Sequence, residues 1–255
     1  MYPILFRFGE LAIYAYGFFL AIGFVVGALF AFSRARKAGV PLESLADLFF
    51  CSVLSAIVGS RISFVLVNPG LFRHDAFKIF RIWEGGLIFY GGLVLSAGVS
   101  IGYLRWKRMP AWKTADLFSP PIAIGLFLGR IGCFLAGCCY GRETSLPWGV
   151  TFTNPDSLAP LHVRLHPAQL YDAANGLVLF AFLIWLEKRK RFDGEIFWVF
   201  LLLYSLGRFV IEGVRGDPRG FLFQGYLSTS QGIGIGLAIA SLFMLSYLYK
   251  KCRGT

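Results

Sequence analysis

Residues 117–139 read LFSPPIAIGLFLGRIGCFLAGCC, an apolar run whose one charged residue is Arg130. About 20 such residues are enough for a helix to cross the hydrocarbon core of a bilayer. A charged side chain at the centre of a lone spanning helix costs roughly 2.5 to 3.5 kcal/mol. The run therefore predicts a transmembrane helix whose arginine meets a partner inside the membrane.

The rest of the chain has the same apolar character. Of its 255 residues, 56% are hydrophobic and 15% charged, whereas a soluble domain has roughly 45–50% apolar and 25% charged residues. We predict a single domain, residues 1–255, with an all-α polytopic membrane fold of about seven spanning helices. The predicted spans are 11–32, 46–67, 86–104, 117–139, 168–186, 194–213 and 229–249.

The positive charge of the chain follows the predicted spans. A formal charge of +11 can indicate nucleic-acid binding, but most basic residues cluster just beyond the ends of apolar runs. We therefore expect no nucleic-acid partner and interpret these clusters as topogenic charge. Fourteen basic residues on one side against eight on the other predict an external N-terminus and a cytoplasmic C-terminus.

Three basic residues, Arg61, Arg130 and Arg208, fall inside predicted spans. Two interpretations remain open. Each arginine can pair with a carboxylate or with helix-end carbonyls, or extend to the interface, in a purely structural role. Alternatively, the arginines converge on an anionic ligand.

The sixth predicted span favours an anionic ligand. Its polar residues Tyr204, Arg208, Glu212 and Arg215 are separated by four, four and three positions, so they share one helix face. Glu212 would orient one guanidinium and leave positive charge to bind a phosphate. The alternative is a helix end that reaches into the lipid headgroups.

Several separated motifs carry a resemblance to one enzyme family. They are Tyr16-Gly17, Gly59 with Arg61, Gly91-Gly92, Gly129-Arg130-Ile131-Gly132, Gly141-Arg142, His166 to Tyr171, and Tyr204 with Arg208-Phe209, Glu212 and Arg215. In order and spacing, over nearly the whole chain, they resemble the phosphatidylglycerol:prolipoprotein diacylglyceryl transferase family.

The resemblance implies a multi-pass enzyme of the bacterial inner membrane without a cofactor. Its substrates would be phosphatidylglycerol, a membrane lipid, and the lipobox cysteine of preprolipoprotein signal peptides, with glycerol phosphate released. By position, Arg130 would bind the phospholipid and act in catalysis, with Arg208 as the second essential basic group. Tyr204, Glu212 and Tyr16 would line the site, with catalytic roles for Tyr204 and Glu212. Arg208, Tyr16 and Arg61 would be further phospholipid-binding residues.

The chain departs from the family pattern at three positions. Tyr90 stands where the family usually has histidine, and Cys133 and Cys138 stand where it has asparagine and glutamate. A tyrosine is a weak base but can donate a hydrogen bond to phosphate or glycerol oxygen. We therefore predict a catalytic role for Tyr90, with packing or interface anchoring as the open alternative. The arginines can activate an acceptor thiol by their field alone.

Three of the five cysteines, Cys133, Cys138 and Cys139, lie toward the outer end of the fourth span. Their spacing matches no standard zinc arrangement, so we expect small packing residues rather than a metal or redox site. A Cys133–Cys138 bond would not close across a regular helix and would require unwinding at Gly137.

Two rival functions remain at this point. A transporter or binding protein for an anionic lipid or solute would also bury arginines around a cavity, without needing a base. A paralogous transferase with another lipid donor or acceptor is the second alternative.

Overall fold

A computed structural model describes residues 1–9, 11–73, 75–82, 85–217, 221–222 and 227–254. Seven α-helices lie in these residues, one for each predicted span. They are α1 Ala15–Ala35, α2 Leu42–Val67, α3 Phe89–Trp106, α4 Ala111–Ala136, α5 Ala168–Glu187, α6 Glu195–Glu212 and α7 Thr229–Arg253. The all-helical prediction is confirmed.

Five of these helices are long and apolar enough to cross a membrane: within the described residues they are α1, α2, α4, α5 and α7. The other two, α3 and α6, have 18 residues each. Large apolar side chains are exposed on many of the helices, as expected where lipid rather than water surrounds the protein.

The first predicted span, residues 11–32, began before the helix does, since α1 starts at Ala15. Residues 11–14 form strand β2 (Leu11–Tyr14), which pairs antiparallel with β1 (Ile4–Phe8). Gly9, at φ +57°, supplies the left-handed backbone that a tight turn needs. Two further pairs of two-residue strands occur among the described residues, β3 Val150–Thr151 with β4 Arg164–Leu165, and β5 Phe221–Leu222 with β6 Leu227–Ser228.

Two helices end earlier than the sequence pattern predicted. Helix α4 stops at Ala136 because Gly137 takes φ +78°, a left-handed end that glycine adopts without steric cost. Gly141 and Arg142 are therefore outside the helix. Helix α6 stops at Glu212, so Arg215 is not on its face as predicted but in the turn that follows.

The chain divides into two compact units, residues 32–114 and residues 1–31 with 115–255. In the first unit, α2 and α3 approach each other closely at their glycines. A Cβ on Gly91 would lie 1.8 Å from Ser63 Oγ, and one on Gly59 would lie 2.5 Å from Gly91 O. The motif glycines of this unit are thus required by helix packing.

In the second unit, α5 and α6 pack with α4 around a buried cluster. Its members are Ala123, Leu179, Leu183, Ile196 and Phe200. Helix α6 also packs along α7. Among the loops, residues 140–167 form a smaller cluster around the fully buried Phe152.

The start of α6 is held by a carboxylate from α4. Asp116, whose side chain is 4% exposed, accepts hydrogen bonds from the backbone N–H groups of Gly194 at 2.7 Å and Phe197 at 2.9 Å. It also pairs with Lys190 Nζ at 2.9 Å. Because a helix leaves its first N–H groups unpaired, Asp116 caps α6 from a different helix.

We expect Asp116→Ala to lower the free energy of unfolding by about 1 to 3 kcal/mol, since it removes a cap and leaves buried donors unpaired. Thermal and denaturant unfolding in detergent would measure the change. Asp156→Ala, at an exposed loop aspartate, is the matched control. Equal stability of the two variants would contradict the capping role.

Candidate functional site

One buried carboxylate, that of Asp172 on α5, contacts three arginines. Its Oδ2 atom lies 3.3 Å from Arg130 Nε, 3.5 Å from Arg208 Nη1 and 3.4 Å from Arg215 Nη1. The Asp172 side chain is 4% exposed. Residues from α4, from α6 and from the turn after α6 therefore meet at a single oxygen atom.

Two further carboxylates complete this arginine cluster, which we define as Arg130, Arg208 and Arg215 with their acidic partners. Glu212 Oε2 lies 2.7 Å from Arg208 Nη2, one helix turn away. Asp217 accepts from Arg215 through both oxygens, at 3.0 and 3.1 Å. The predicted orienting role of Glu212 fits this contact.

Within the described residues, the cluster contains three guanidinium groups and three carboxylates, so its formal charges cancel. Sequence reasoning counted Glu212 alone and so expected a larger positive excess. It missed Asp172 and Asp217. Asp172 was detectable, since it is the one acidic residue in the predicted span 168–186 and a buried carboxylate needs partners as much as a buried arginine does.

The three arginines differ in exposure. The side chain of Arg130 is 19% exposed, that of Arg208 12% and that of Arg215 2%. Arg130 is thus the guanidinium of the three that a solute or lipid headgroup reaches most easily. An arginine carries five N–H donors, so it can bind a second anion while it keeps its contact with Asp172.

Three chain segments are joined by backbone hydrogen bonds beside the cluster. Gly141 N donates to His166 O at 3.1 Å, Arg142 N donates to Val214 O at 2.8 Å, and Gly216 N donates to Tyr140 O at 3.1 Å. Arg142 Nε also donates to Arg215 O at 3.1 Å. These bonds fix the backbone of Arg215, which explains how a residue beyond the end of α6 stays in the cluster.

Two predicted site tyrosines lie near Arg130. Tyr204 is one turn before Arg208 on α6, stacks on Phe200 with ring centroids 5.9 Å apart, and interacts electrostatically with Arg130. Tyr16, near the start of α1, is partly exposed and also interacts electrostatically with Arg130. The structure thus brings together five predicted site residues: Tyr16, Arg130, Tyr204, Arg208 and Glu212.

Arg61 belongs to the unit formed by residues 32–114. Its guanidinium is buried and donates to the carbonyls of Ile79 at 2.8 Å, Gly85 at 2.7 Å, Gly86 at 3.1 Å and Arg81 at 3.3 Å, and to that of Lys78. These contacts match the interpretation in which a buried arginine has a purely structural role and donates its hydrogen bonds to backbone carbonyls. Phospholipid binding by Arg61 stays a prediction.

Tyr90 belongs to the same unit, in the first turn of α3. Its side chain is 43% exposed and lines an open groove of about 660 Å³ between α2 and α3, together with Gly59, Ser63, Gly91 and Leu95. The groove is mostly apolar. Tyr90 can therefore reach a ligand from this groove, but the prediction of a catalytic role is not tested by this geometry.

The three clustered cysteines meet at the end of α4. The Sγ atoms of Cys133, Cys138 and Cys139 all lie within 4.8 Å of one another, and the thiols are free. The unwinding at Gly137 that such an approach requires is present. Arg215 and Arg130 interact electrostatically with the Cys139 thiol.

Comparison with known proteins gives one consistent result. The model of the prolipoprotein diacylglyceryl transferase family matches residues 3–247. A phosphatidylglycerol–prolipoprotein diacylglyceryl transferase of Clostridium tetani is 33% identical, over 96% of this chain and 97% of its own. A transferase 2 of the same description from Clostridium perfringens is 34% identical, over 96% of this chain and 93% of its own. The transferase of Vibrio cholerae is 34% identical, over 98% of this chain and 92% of its own.

We expect Asp172→Asn to lower the free energy of unfolding by about 3 to 5 kcal/mol, because it leaves three buried guanidinium groups without their shared counter-ion. Unfolding of the purified protein in detergent would measure this loss. Asp156→Asn, in an exposed loop, should change little. A stability of Asp172→Asn equal to that of this control would show that the carboxylate does not organise the cluster.

Proposed function

Because the chain belongs to the prolipoprotein diacylglyceryl transferase family, we propose that it moves the diacylglyceryl group of phosphatidylglycerol to the lipobox cysteine of a preprolipoprotein signal peptide. In this reaction the acceptor sulfur forms a bond with the terminal glyceryl carbon. The bond between that carbon and its phosphate oxygen breaks. Glycerol phosphate leaves, and the acceptor thiol gives up its proton.

The observation that carries this proposal is the set of three arginines held on Asp172. A phosphodiester carries one negative charge, and the departing phosphate monoester gains another. Donors fixed in advance where charge develops stabilise a transition state more than a ground state. Arg130, the most exposed of the three, would bind the phosphate, with Arg208 beside it.

Arg130 would also activate the acceptor, through a guanidinium close to the thiol rather than through a net charge of the cluster. A cysteine with an ordinary pKa of about 8.5 is only about 3% thiolate at neutral pH. Arginines next to the incoming thiol favour its ionised form. A dedicated histidine base is not needed for this effect, which accounts for Tyr90 at the position where the family usually has histidine.

The remaining predicted residues receive supporting roles. Glu212 holds Arg208 through its contact at 2.7 Å and is a positioning residue. Tyr204 and Tyr16, through their interactions with Arg130, would line the phosphate-binding region. By their positions in the family pattern, Tyr90 would donate a hydrogen bond to a phosphate or glycerol oxygen, and Arg61 would contact phospholipid.

We further propose that all seven helices span the bacterial inner membrane as one transferase domain, residues 1–255. The near-complete coverage of the family model, residues 3–247, supports a single domain. The excess of basic residues after α1, α3, α5 and α7 supports a cytoplasmic C-terminus and an external N-terminus. The arginine cluster would then face the outer half of the bilayer, where signal peptides emerge.

The decisive assay combines the purified protein with phosphatidylglycerol and a lipobox peptide, and detects the thioether-linked product by mass spectrometry. We expect product from the wild type and a loss of about 10² to 10³ in rate for Arg130→Ala, the range found when one transition-state donor is removed. Arg36→Ala, at an exposed arginine after the first span, is the control.

If folded wild-type protein binds phosphatidylglycerol but forms no product, the transferase proposal is overturned and a lipid-binding or transport function is favoured. Product from another phospholipid, but not from phosphatidylglycerol, would favour a transferase with a different donor.

We expect Tyr90→Phe to lower kcat/KM about tenfold, since one hydrogen bond to substrate contributes roughly 1 to 1.5 kcal/mol. The same peptide assay gives kcat and KM separately. Tyr247→Phe, which changes an exposed tyrosine on α7, is the matched control. If both variants retain full activity, Tyr90 serves packing only.

A further inference from the structure

We propose that Cys133, Cys138 and Cys139 form a binding site for a thiophilic d¹⁰ divalent cation of the Zn(II) class. Nothing in the transferase reaction requires this site. It lies beside Arg130, at the end of α4 and in its terminal turn. The spacing of the cysteines in the sequence did not predict it, because the turn at Gly137 brings their sulfur atoms together.

The distances between the sulfur atoms fit such an ion. Zinc binds thiolate sulfur at about 2.3 Å in tetrahedral geometry, which places two sulfur ligands about 3.8 Å apart. The three Sγ atoms already lie within 4.8 Å of one another. The largest difference between these separations and the zinc geometry is therefore about 1 Å, which is on the scale of the movement of Sγ when a side chain rotates.

The backbone is shaped to bring the thiols together. After Gly137, Cys139 takes φ +60°, a left-handed conformation that a residue with a side chain rarely adopts. This conformation is held in place, because the fully buried Gln169 donates from Nε2 to Cys138 O at 2.8 Å, and Leu158 N donates to Ala136 O at 3.1 Å. Cys133, one turn before the end of α4, completes the group.

The surrounding charges suit a thiolate site. Three thiolates and one divalent cation carry a net charge of −1. Arg130 interacts electrostatically with Cys133 and Cys139, and Arg215 interacts with the Cys139 side chain. Cationic neighbours stabilise thiolates, which are the form that binds metal. The thiols that are still protonated would release their protons to solvent on binding.

Three protein ligands leave one of four tetrahedral positions open. A structural zinc site is usually closed by a fourth protein ligand, whereas an exchangeable site keeps a position for water or another small ligand. Within the described residues, the group that can bind an ion consists of these three cysteines. We therefore assign an open three-thiolate site rather than a closed structural one.

The test uses the full-length protein in detergent, reduced with a phosphine, treated with a chelator and kept anaerobic. Titration with Co(II) should produce a thiolate-to-cobalt charge-transfer band in the near ultraviolet, which saturates at one ion per chain and disappears when Zn(II) is added. If folded wild-type protein shows no such band, the proposal is overturned.

Serine variants locate the site. Each of three single variants should lose the band or bind Co(II) more weakly: Cys133→Ser, Cys138→Ser and Cys139→Ser. The loss of affinity should exceed the roughly 10- to 100-fold that is typical when a residue that only hydrogen-bonds to a metal ligand is removed. The double variant Cys51→Ser with Cys252→Ser removes the other two cysteines and should bind as the wild type does. The wild type and this double variant decide the question even if a serine variant does not fold.

A count of reactive thiols separates metal binding from redox chemistry. Before Co(II) is added, the reduced protein should show five free thiols, and bound Zn(II) should protect three of them from alkylation. Protection of Cys51 or Cys252 instead would overturn the proposal. So would a disulfide that forms within the cluster under reducing, anaerobic conditions.

Discussion

A carboxylate that must remain charged inside an apolar helix bundle is the constraint on which the second unit depends. Asp172 is nearly excluded from solvent, and an uncompensated charge in that environment costs several kcal/mol. Its partners come from α4, from α6 and from the turn after α6. Those three elements are therefore held in place by electrostatics, because the apolar contacts between helices in lipid have no hydrophobic driving force of their own.

Other parts of the fold serve the same arrangement. Asp116 fixes the beginning of α6, and the backbone bonds among residues 140–143, 164–166 and 214–216 fix the segment beyond its end. Helix α6, which carries Arg208, is thereby fixed at its beginning, and the segment beyond its end, which carries Arg215, is fixed as well. If the cluster binds the substrate phosphate as we propose, an arrangement fixed in this way needs little reorganisation when charge develops on the substrate.

Hydropathy predicted every helix because the bilayer imposes a minimum length on apolar runs, and the buried arginines were evident because charge inside such a run is costly. Other features depended on backbone geometry. The left-handed turn at Gly137 and Cys139 brings the thiols of the 133–139 segment together, and the strand at residues 11–14 replaces the start of a helix. Asp172 could have been predicted on the same grounds as the arginines, since it is the one carboxylate in the fifth predicted span and a buried carboxylate also needs partners.

The sharing of one Asp172 oxygen among three arginines has an evolutionary consequence. Loss of the carboxylate removes the partner that all three arginines share, although Arg208 keeps Glu212 and Arg215 keeps Asp217. Loss of any one arginine changes the charge balance for the other two. The effects of substitutions at these four positions are therefore strongly epistatic. A substitution at one of these positions therefore changes which substitutions the other three tolerate, so the four residues are expected to change together rather than independently.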